Sequence, residues 1–372
     1  MLIRIEDDIL LEAQKGNQQV LTVLNSLSMS QRKQKIRHIL TGSFSTIKGL
    51  AFLDRLGSSE RQVFMSIFKK LSGLGALYSS IPFCCKVTTL RSTEMAQNCI
   101  YINPNTHASF EFDHDVKLLV ENLNDAEVLG YVLFYFKEQH SILKEIPCSY
   151  DEWMGGGDTT YQNFDKAIAD RRYFCLSILD GDKKYDSDCA PYGDTYKKVK
   201  NRGDKEKPFN CQYYGTVKLR EIENAIPFKV FSEDSNYRHH SIISSKMRFD
   251  MSFFDFKEGL KYKDINNDFI SEYWIRVLSE YPDVVKEINL CEQYRNLCKN
   301  CNDYKKDCGD LVLIEGFGSK LLAYILKEHK EKLKCIGNYC PSDSQKYEWN
   351  IIGSLIFNWT CASLPLPKIS FM

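Results

Sequence analysis

The sequence of 372 residues contains no apolar run approaching the roughly 18 residues that a bilayer-spanning helix requires, which argues against an integral membrane protein. Its opening stretch lacks the basic start, apolar middle and small-residue cleavage site of a secretory signal, because Glu6, Asp7 and Asp8 interrupt it. A cytoplasmic location is therefore expected, with the 14 cysteines kept as reduced thiols. A nucleotide-binding P-loop is missing too. Gly155-Gly156-Gly157-Asp158-Thr159-Thr160 has no lysine, and Gly316-Phe317-Gly318-Ser319-Lys320 has the wrong glycine spacing, so no ATPase is expected within this chain. There is no net charge, 49 basic residues balancing 49 acidic ones, and no internal repeat or low-complexity tract that would indicate a repeat array. His239-His240 stands without a partner motif.

A chain of this length suggests two or three domains with an ample core. Its charge is unevenly placed: residues 1–110 hold 13 Lys and Arg against 7 Asp and Glu, and the remainder reverses that surplus. A basic module beside an acidic one suits an enzyme acting on nucleic acid, although chance surface composition gives the same imbalance. Residues 1–80 read as helical. Val63, Phe64, Ile67, Phe68, Leu71 and Leu74 recur at three- and four-residue spacing, the mark of a core-facing stripe. The basic run Arg32, Lys33, Lys35, Arg37 and His38 follows a candidate N-cap at Ser28 or Ser30, so it is expected to form a solvated helix face or to meet phosphates. From Pro82 onward short strands and turns are expected, with a break at Asn103-Pro104-Asn105.

Beyond residue 110 strands and helices alternate. The apolar run Val116–Val120 predicts a strand, Val128, Leu129, Val132, Leu133 and Phe136 a helix, Tyr161–Ala169 a second helix, Tyr173–Leu179 a strand and Tyr213–Leu219 a third. Such alternation argues for crossover units and a parallel sheet flanked by helices, an α/β fold of Rossmannoid type. The polar stretch between Asp182 and Tyr213 shows no apolar period and reads as a functional or mobile loop. After Pro227 the chain is mixed polar and helical, ending in an aromatic-rich segment around Trp349, Phe357 and Trp359. Three segments result: a mainly helical basic module (1–110), an α/β catalytic domain (111–232) and a mainly helical, Cys-rich region (233–372).

Acids mark the predicted strand ends. Glu121 follows Val116–Val120, Asp180-Gly181-Asp182 follows Tyr173–Leu179, and Glu221 and Glu223 follow the third strand. Residues just past the carboxyl ends of parallel strands line the crevice where open α/β sheets bind ligands. Magnesium takes hard oxygen ligands and keeps several waters, so a few converging carboxylates suffice. A metal pair roughly 3.5–4 Å apart can stabilise both the attacking and the leaving oxygen of phosphodiester cleavage. Acids gathered in this way also repel one another, which raises at least one pKa until a cation arrives. The Gly155–Gly157 turn precedes a helix with Asp158 or Thr159 as its N-cap, and its amides could cradle phosphate.

The order Val120-Glu121, Asp125, Gly155-Gly156-Gly157, Asp180, Asp182 and Arg220-Glu221-Ile222-Glu223-Asn224 resembles the TOPRIM domain of OLD-type nucleases and their stand-alone relatives in bacterial anti-phage defence. The resemblance covers about residues 113–230, and Asn122 stands where the family usually has glycine. It implies an endonuclease dependent on Mg²⁺ or Mn²⁺. Glu121 would be a metal ligand or the base that positions water, Asp125 a secondary ligand, Asp180 and Asp182 the principal ligands, and Glu221 and Glu223 a second metal position. Lys183, Lys184 and Arg220 lie close enough in sequence to contact the scissile phosphate, with Lys183 taken as catalytic. OLD-type enzymes usually carry a fused ATPase, so a separate ATPase subunit is the expected partner beside the nucleic-acid substrate. The N-terminal module and the segment around Trp349 and Trp359 are its expected docking surfaces, although tryptophan in such a segment is more often core, and a homo-oligomer is allowed. The other readings are a primase- or topoisomerase-like subunit and a non-catalytic binding module whose acids are structural.

Cys291, Cys298, Cys301 and Cys308 have the spacing C-x6-C-x2-C-x6-C. One tight pair flanked by two more thiols is compatible with a structural Zn²⁺, to which Cys335 and Cys340 could contribute, but it lacks the usual second pair.

Overall fold

The computed structural model describes residues 1–32, 37–79, 81–237, 251–261, 264, 273–274, 276–278 and 312–363. The N-terminal part runs β1 (Leu2–Ile5), α1 (Asp7–Lys15), α2 (Gln18–Arg32), β2 (Arg37–Gly42), α3 (Phe44–Ala51), α4 (Ser58–Ser79), β3 (Cys84–Val87), β4 (Glu94–Ala96), β5 (Cys99–Ile102) and α5 (Pro104–His107). β2, β1, β3 and β5 are parallel neighbours in that order, and β4 pairs antiparallel on the outer side of β5. The helical reading of residues 1–80 is thereby corrected. Helices do form there, and Val63, Phe64 and Ile67 are buried as their spacing requires, but β1 and β2 are part of a sheet. Strands of four and six residues are too short to register a period of two beside a long helical stripe. Ser28 and Ser30 are not N-caps. Both lie in the last turns of α2, their hydroxyls donating to the carbonyls of Asn25 and Leu27. The basic run closes α2 and opens β2, with Lys33 and Lys35 outside the described residues and His38 buried.

The second sheet comprises β6 (Val116–Val120), β7 (Tyr150–Met154), β8 (Cys175–Leu179) and β9 (Cys211–Gly215), all parallel in the order β7-β6-β8-β9. The crossovers are α6 (Leu123–Gln139), α7 (Thr160–Asp170) and α8 (Asp194–Glu206). This bears out the parallel α/β architecture expected from the sequence. The third strand is shifted, ending at Gly215 rather than Leu219. The stretch after Asp182, read as a loop, holds α8, whose buried Thr195, Tyr196, Val199 and Gly203 supply a helical face with one aliphatic residue. β6 is buried on both faces. Val116, Leu118 and Val120 join a large core that includes α6, while Leu119 joins a smaller one with Phe164 and Ile168 of α7 and Val199 of α8.

The segment after residue 233 does not stand apart. Its described elements are β10 (Gly259–Lys261), β11 (Val312–Glu315), α9 (Leu321–Glu328), α10 (Lys330–Leu333), α11 (Asp343–Thr360) and β12 (Ala362–Ser363). β12 pairs antiparallel with β2, Ala362 opposite His38, closing the far edge of the first sheet. α11 packs along α6, with Trp349 against Tyr135 at 4.7 Å between ring centroids. Trp359 lies between the two sheets, stacked on Phe83 at 5.6 Å and edge-on to Phe174 at 6.1 Å. Both tryptophans are buried and their indole N–H groups donate to Ala225 O and Gln212 Oε1, so neither forms the docking surface expected of them. Cys291, Cys298, Cys301, Cys308 and His239-His240 lie outside the described residues.

Candidate metal and acid site

The connection from β6 leads to β7 on one side, and the next crossover returns to β8 on the other. The carboxyl ends of β6 and β8 therefore flank a topological switch point, the crevice in which this kind of sheet binds ligands. Glu121 extends β6, and Asp180, Gly181 and Asp182 extend β8.

Local chemistry fixes each acid. Asn122 adopts extended backbone (φ −141°) and caps α6, its side chain accepting from Asn124 N and Asp125 N, while Asp125 Oδ2 accepts from Asn122 N at 3.0 Å. This reciprocal box explains Asn where the resembled family has glycine: the position needs a cap and no left-handed turn. Asn122→Gly is accordingly expected to cost only a few tenths of a kcal/mol and Asn122→Ala about 1 kcal/mol. Urea unfolding of the two variants checks the order, and equal losses would contradict the cap.

Asp180 Oδ1 accepts from Ile222 N at 2.6 Å, tying β8 to the short 3₁₀ turn Ile222–Ala225 that carries Glu223. Gly181 is required because a Cβ there would lie 1.9 Å from Thr216 O, and its amide donates to Thr216 Oγ1. Asp182 sits in the left-handed region (φ 52°), its amide donating to Arg220 O at 2.7 Å. Its carboxylate lies against Gly193, just before α8, where a Cβ would come within 2.1 Å of Oδ2. The Gly155–Gly157 turn folds over the end of β6, with the amides of Gly155 and Gly156 donating to Val120 O and Glu121 O. Those two N–H groups are thus committed to backbone and are not a phosphate cradle. Thr159 is the N-cap of the helix, as expected, but its side chain makes no capping hydrogen bond, its hydroxyl donating instead to Gly155 O.

The basic residues divide differently from the sequence reading. Lys183 is buried and turned away, its ammonium donating to Ser187 O and lying 4.6 Å from the centre of the Tyr192 ring. Lys184 pairs with Asp264 at 2.6 Å, and Arg220 with Asp255 at 2.6 Å. The cation among the acids is Lys257, which no sequence pattern singles out. Its Nζ lies 3.1 Å from Glu223 Oε1 and 3.4 Å from Glu221 Oε2.

Electrostatics confirms that the carboxylates feel one another. Burial, then Asp182 and Asp125, push the Glu121 carboxyl up to about 7. Burial lifts Asp125 to about 6 against the hydrogen bonds from Asn122. Asp180 is driven well above the usual carboxylate range by burial and by Asp125, Glu221 and Glu121. Burial would raise Glu221 too, but a hydrogen bond from Glu223 and the charges of Lys257 and Arg220 outweigh it. Glu223 is raised by burial and by its neighbour Glu221. Three buried oxygens, Glu121 Oε1, Glu221 Oε2 and Glu223 Oε2, have no hydrogen-bond partner. Among the described residues no three His, Cys, Asp or Glu side chains stand close enough together to grip a metal ion. The donors are all carboxylates, the ligand class of a hard divalent cation, but as placed they do not converge on one ion.

A carboxyl whose pKa is higher in the folded than in the unfolded chain stabilises the fold at low pH, and this contribution is lost as pH rises through the interval between the two values. For Glu121 that interval runs from 4.5 to about 7. Chelator-treated protein is expected to gain a few degrees in Tm on moving from about pH 8 to about pH 6, and excess Mg²⁺ is expected to remove the gain. A flat or falling Tm over that range would contradict the strained cluster.

Compared with known protein families, curated proteins and solved structures, the chain finds no match in any of the three.

Proposed function

We propose that the chain is a metal-dependent nuclease of TOPRIM type, hydrolysing phosphodiester bonds with Mg²⁺ or Mn²⁺. The supporting observation is the set of acids at the β6/β8 switch point, half-buried to buried, mutually repelling and with Glu121 Oε1 and Glu223 Oε2 left without a partner. Burying carboxylates without partners costs several kcal/mol, a penalty a divalent cation relieves. Asp180, Asp182 and Glu121 would hold the principal ion, and Glu221 and Glu223 a second position. Asp125, engaged in the helix cap, would act chiefly by adding negative charge. When bound, the metal supplies Lewis-acid stabilisation of phosphate oxygens and an activated water. The chain's own part is to fix these oxygens on strand ends and exclude competing solvent. Glu121, at the end of β6, would either hold the ion or position the attacking water.

Cleavage of a nucleic-acid substrate is expected to vanish in excess EDTA and to return with Mg²⁺ or Mn²⁺. Restoration by Zn²⁺ alone would count against an all-oxygen site. An effector role in anti-phage defence, with a separate ATPase subunit as restraint or delivery partner, follows the same reading, since this chain has no P-loop.

A further inference from the structure

We propose that Cys84 and Cys99 form an oxidisable dithiol, a site at which hydrogen peroxide converts the two thiols into a disulfide bridging β3 and β5. The inference concerns the first sheet alone and is independent of the nuclease reading. Both residues are free thiols in the structure.

Register brings the two sulfurs together. Cys84 stands opposite Cys99 on parallel neighbouring strands, and their sulfurs lie 3.9 Å apart. Neighbouring strands run about 4.8 Å apart, within the roughly 4.4–6.8 Å between Cα atoms that a disulfide spans. Closing the remaining gap needs side-chain rotation and no change of register. Both thiols also occupy the open face of the sheet. On the opposite face Ile3, Cys85 and Ile100 are fully buried. On this one Arg4 and Lys86, paired in register, keep side-chain exposures of 51% and 31%. Cys84 is half-buried and lines a cavity of about 510 Å³ beside Arg4 and Tyr78, an entry wide enough for a small oxidant.

The surroundings separate the two roles. A hydrogen bond from Cys84, supported by the Lys86 ammonium, holds the Cys99 thiol below its ordinary value against burial, while the same bond and burial push Cys84 up. The sulfur with more thiolate character is the nucleophile. Cys99 attacks one peroxide oxygen, the O–O bond breaks, and the other oxygen leaves as water with the thiol proton. Cys84 then attacks the resulting sulfenic acid, the S–O bond breaks, and a second water leaves with the Cys84 proton. The two thiols lose two electrons in all, and one hydrogen peroxide is reduced to two waters. Two other cysteine couples lack this access. Cys175 faces Cys211 across β8 and β9, and Cys148 meets Cys361 at an isolated bridge, but Cys175, Cys211 and Cys361 are each at most 3% exposed. Buried thiols are inert, so oxidation is expected to be selective for the first couple.

Folded wild-type protein treated with a small excess of hydrogen peroxide, capped with N-ethylmaleimide and mapped by mass spectrometry is expected to yield a peptide pair linked through Cys84 and Cys99, ahead of either other couple. Dithiothreitol is expected to restore both thiols. Absence of the link overturns the proposal, as does a link at Cys175–Cys211 or Cys148–Cys361 that forms as fast. Electron-transfer fragmentation distinguishes Cys84 from its neighbour Cys85, and a bridge through Cys85 overturns it equally. These readouts need no variant. In Cys84→Ser the Cys99 sulfur has no partner to close on, so it is expected to stop at sulfenic acid, which dimedone traps. A Cys99 that dimedone leaves unlabelled in the folded variant overturns the order of attack.

Discussion

Replacing Asp180 and Asp182 together by asparagine is expected to lower nucleic-acid cleavage by about 10³-fold or more, which corresponds to about 4 kcal/mol of transition-state stabilisation. The chain should stay folded. The carboxamide introduced by Asp180→Asn would retain an oxygen to accept from Ile222 N, and removing two negative charges relieves the repulsion that raises Glu121 and Asp180. The double variant is accordingly expected to melt at or above the wild-type temperature without metal. Rates on a labelled substrate, read beside Tm in EDTA, separate lost chemistry from lost structure. Cleavage within a few-fold of wild type would end the assignment, as would a variant that is inactive because it is unfolded.

Glu348→Ala is expected to be the most destabilising single change near the site, at about 3–5 kcal/mol. Glu348 is fully buried on α11, and its carboxylate accepts from the amides of Val217 and Lys218 and from the Tyr214 hydroxyl. These donors belong to β9 and the loop after it, which leads to Arg220, Glu221 and Glu223. Removing the carboxylate strands two part-buried N–H groups and a hydroxyl, and loosens the mount of half the acid cluster. Urea unfolding measures the loss. A cost under about 1 kcal/mol would mean that the loop is held by its other contacts.

Legibility from sequence tracks how much of a feature is local. β6, α6, α7 and β8 are readable because Val116–Val120 and the Val128–Phe136 stripe state their periods within a few residues. The strand-end acids are readable because they directly follow such runs. β7 escapes a sequence reading, since Tyr-Asp-Glu-Trp-Met on an edge strand, half exposed, has no apolar run to show. α8 escapes it because its buried face is made by Thr195, Tyr196, Val199 and Gly203, which do not stand out among lysines and aspartates. The Asn122–Asp125 box does have a signal, Asn-x-x-Asp ahead of an apolar helix, which the departure from the resembled family's glycine obscures. Lys257 has none. Its role arises from a tertiary contact brought in by the Asp255–Arg220 pair, and no spacing along the chain encodes it.

The pairing of β12 with β2 has a consequence for how the chain is made. A ribosome delivers residues in order, so the β2 edge that Ala362 and Ser363 cover stays open until almost all of the described chain has emerged. Lys257 and the Glu348 anchor also arrive late, after every acid they serve. Prematurely terminated chains would carry the acids without the helix that positions them. Under the nuclease function proposed above, the topology delays assembly of the site until residue 363 has been synthesised, and the order of translation itself becomes a safeguard.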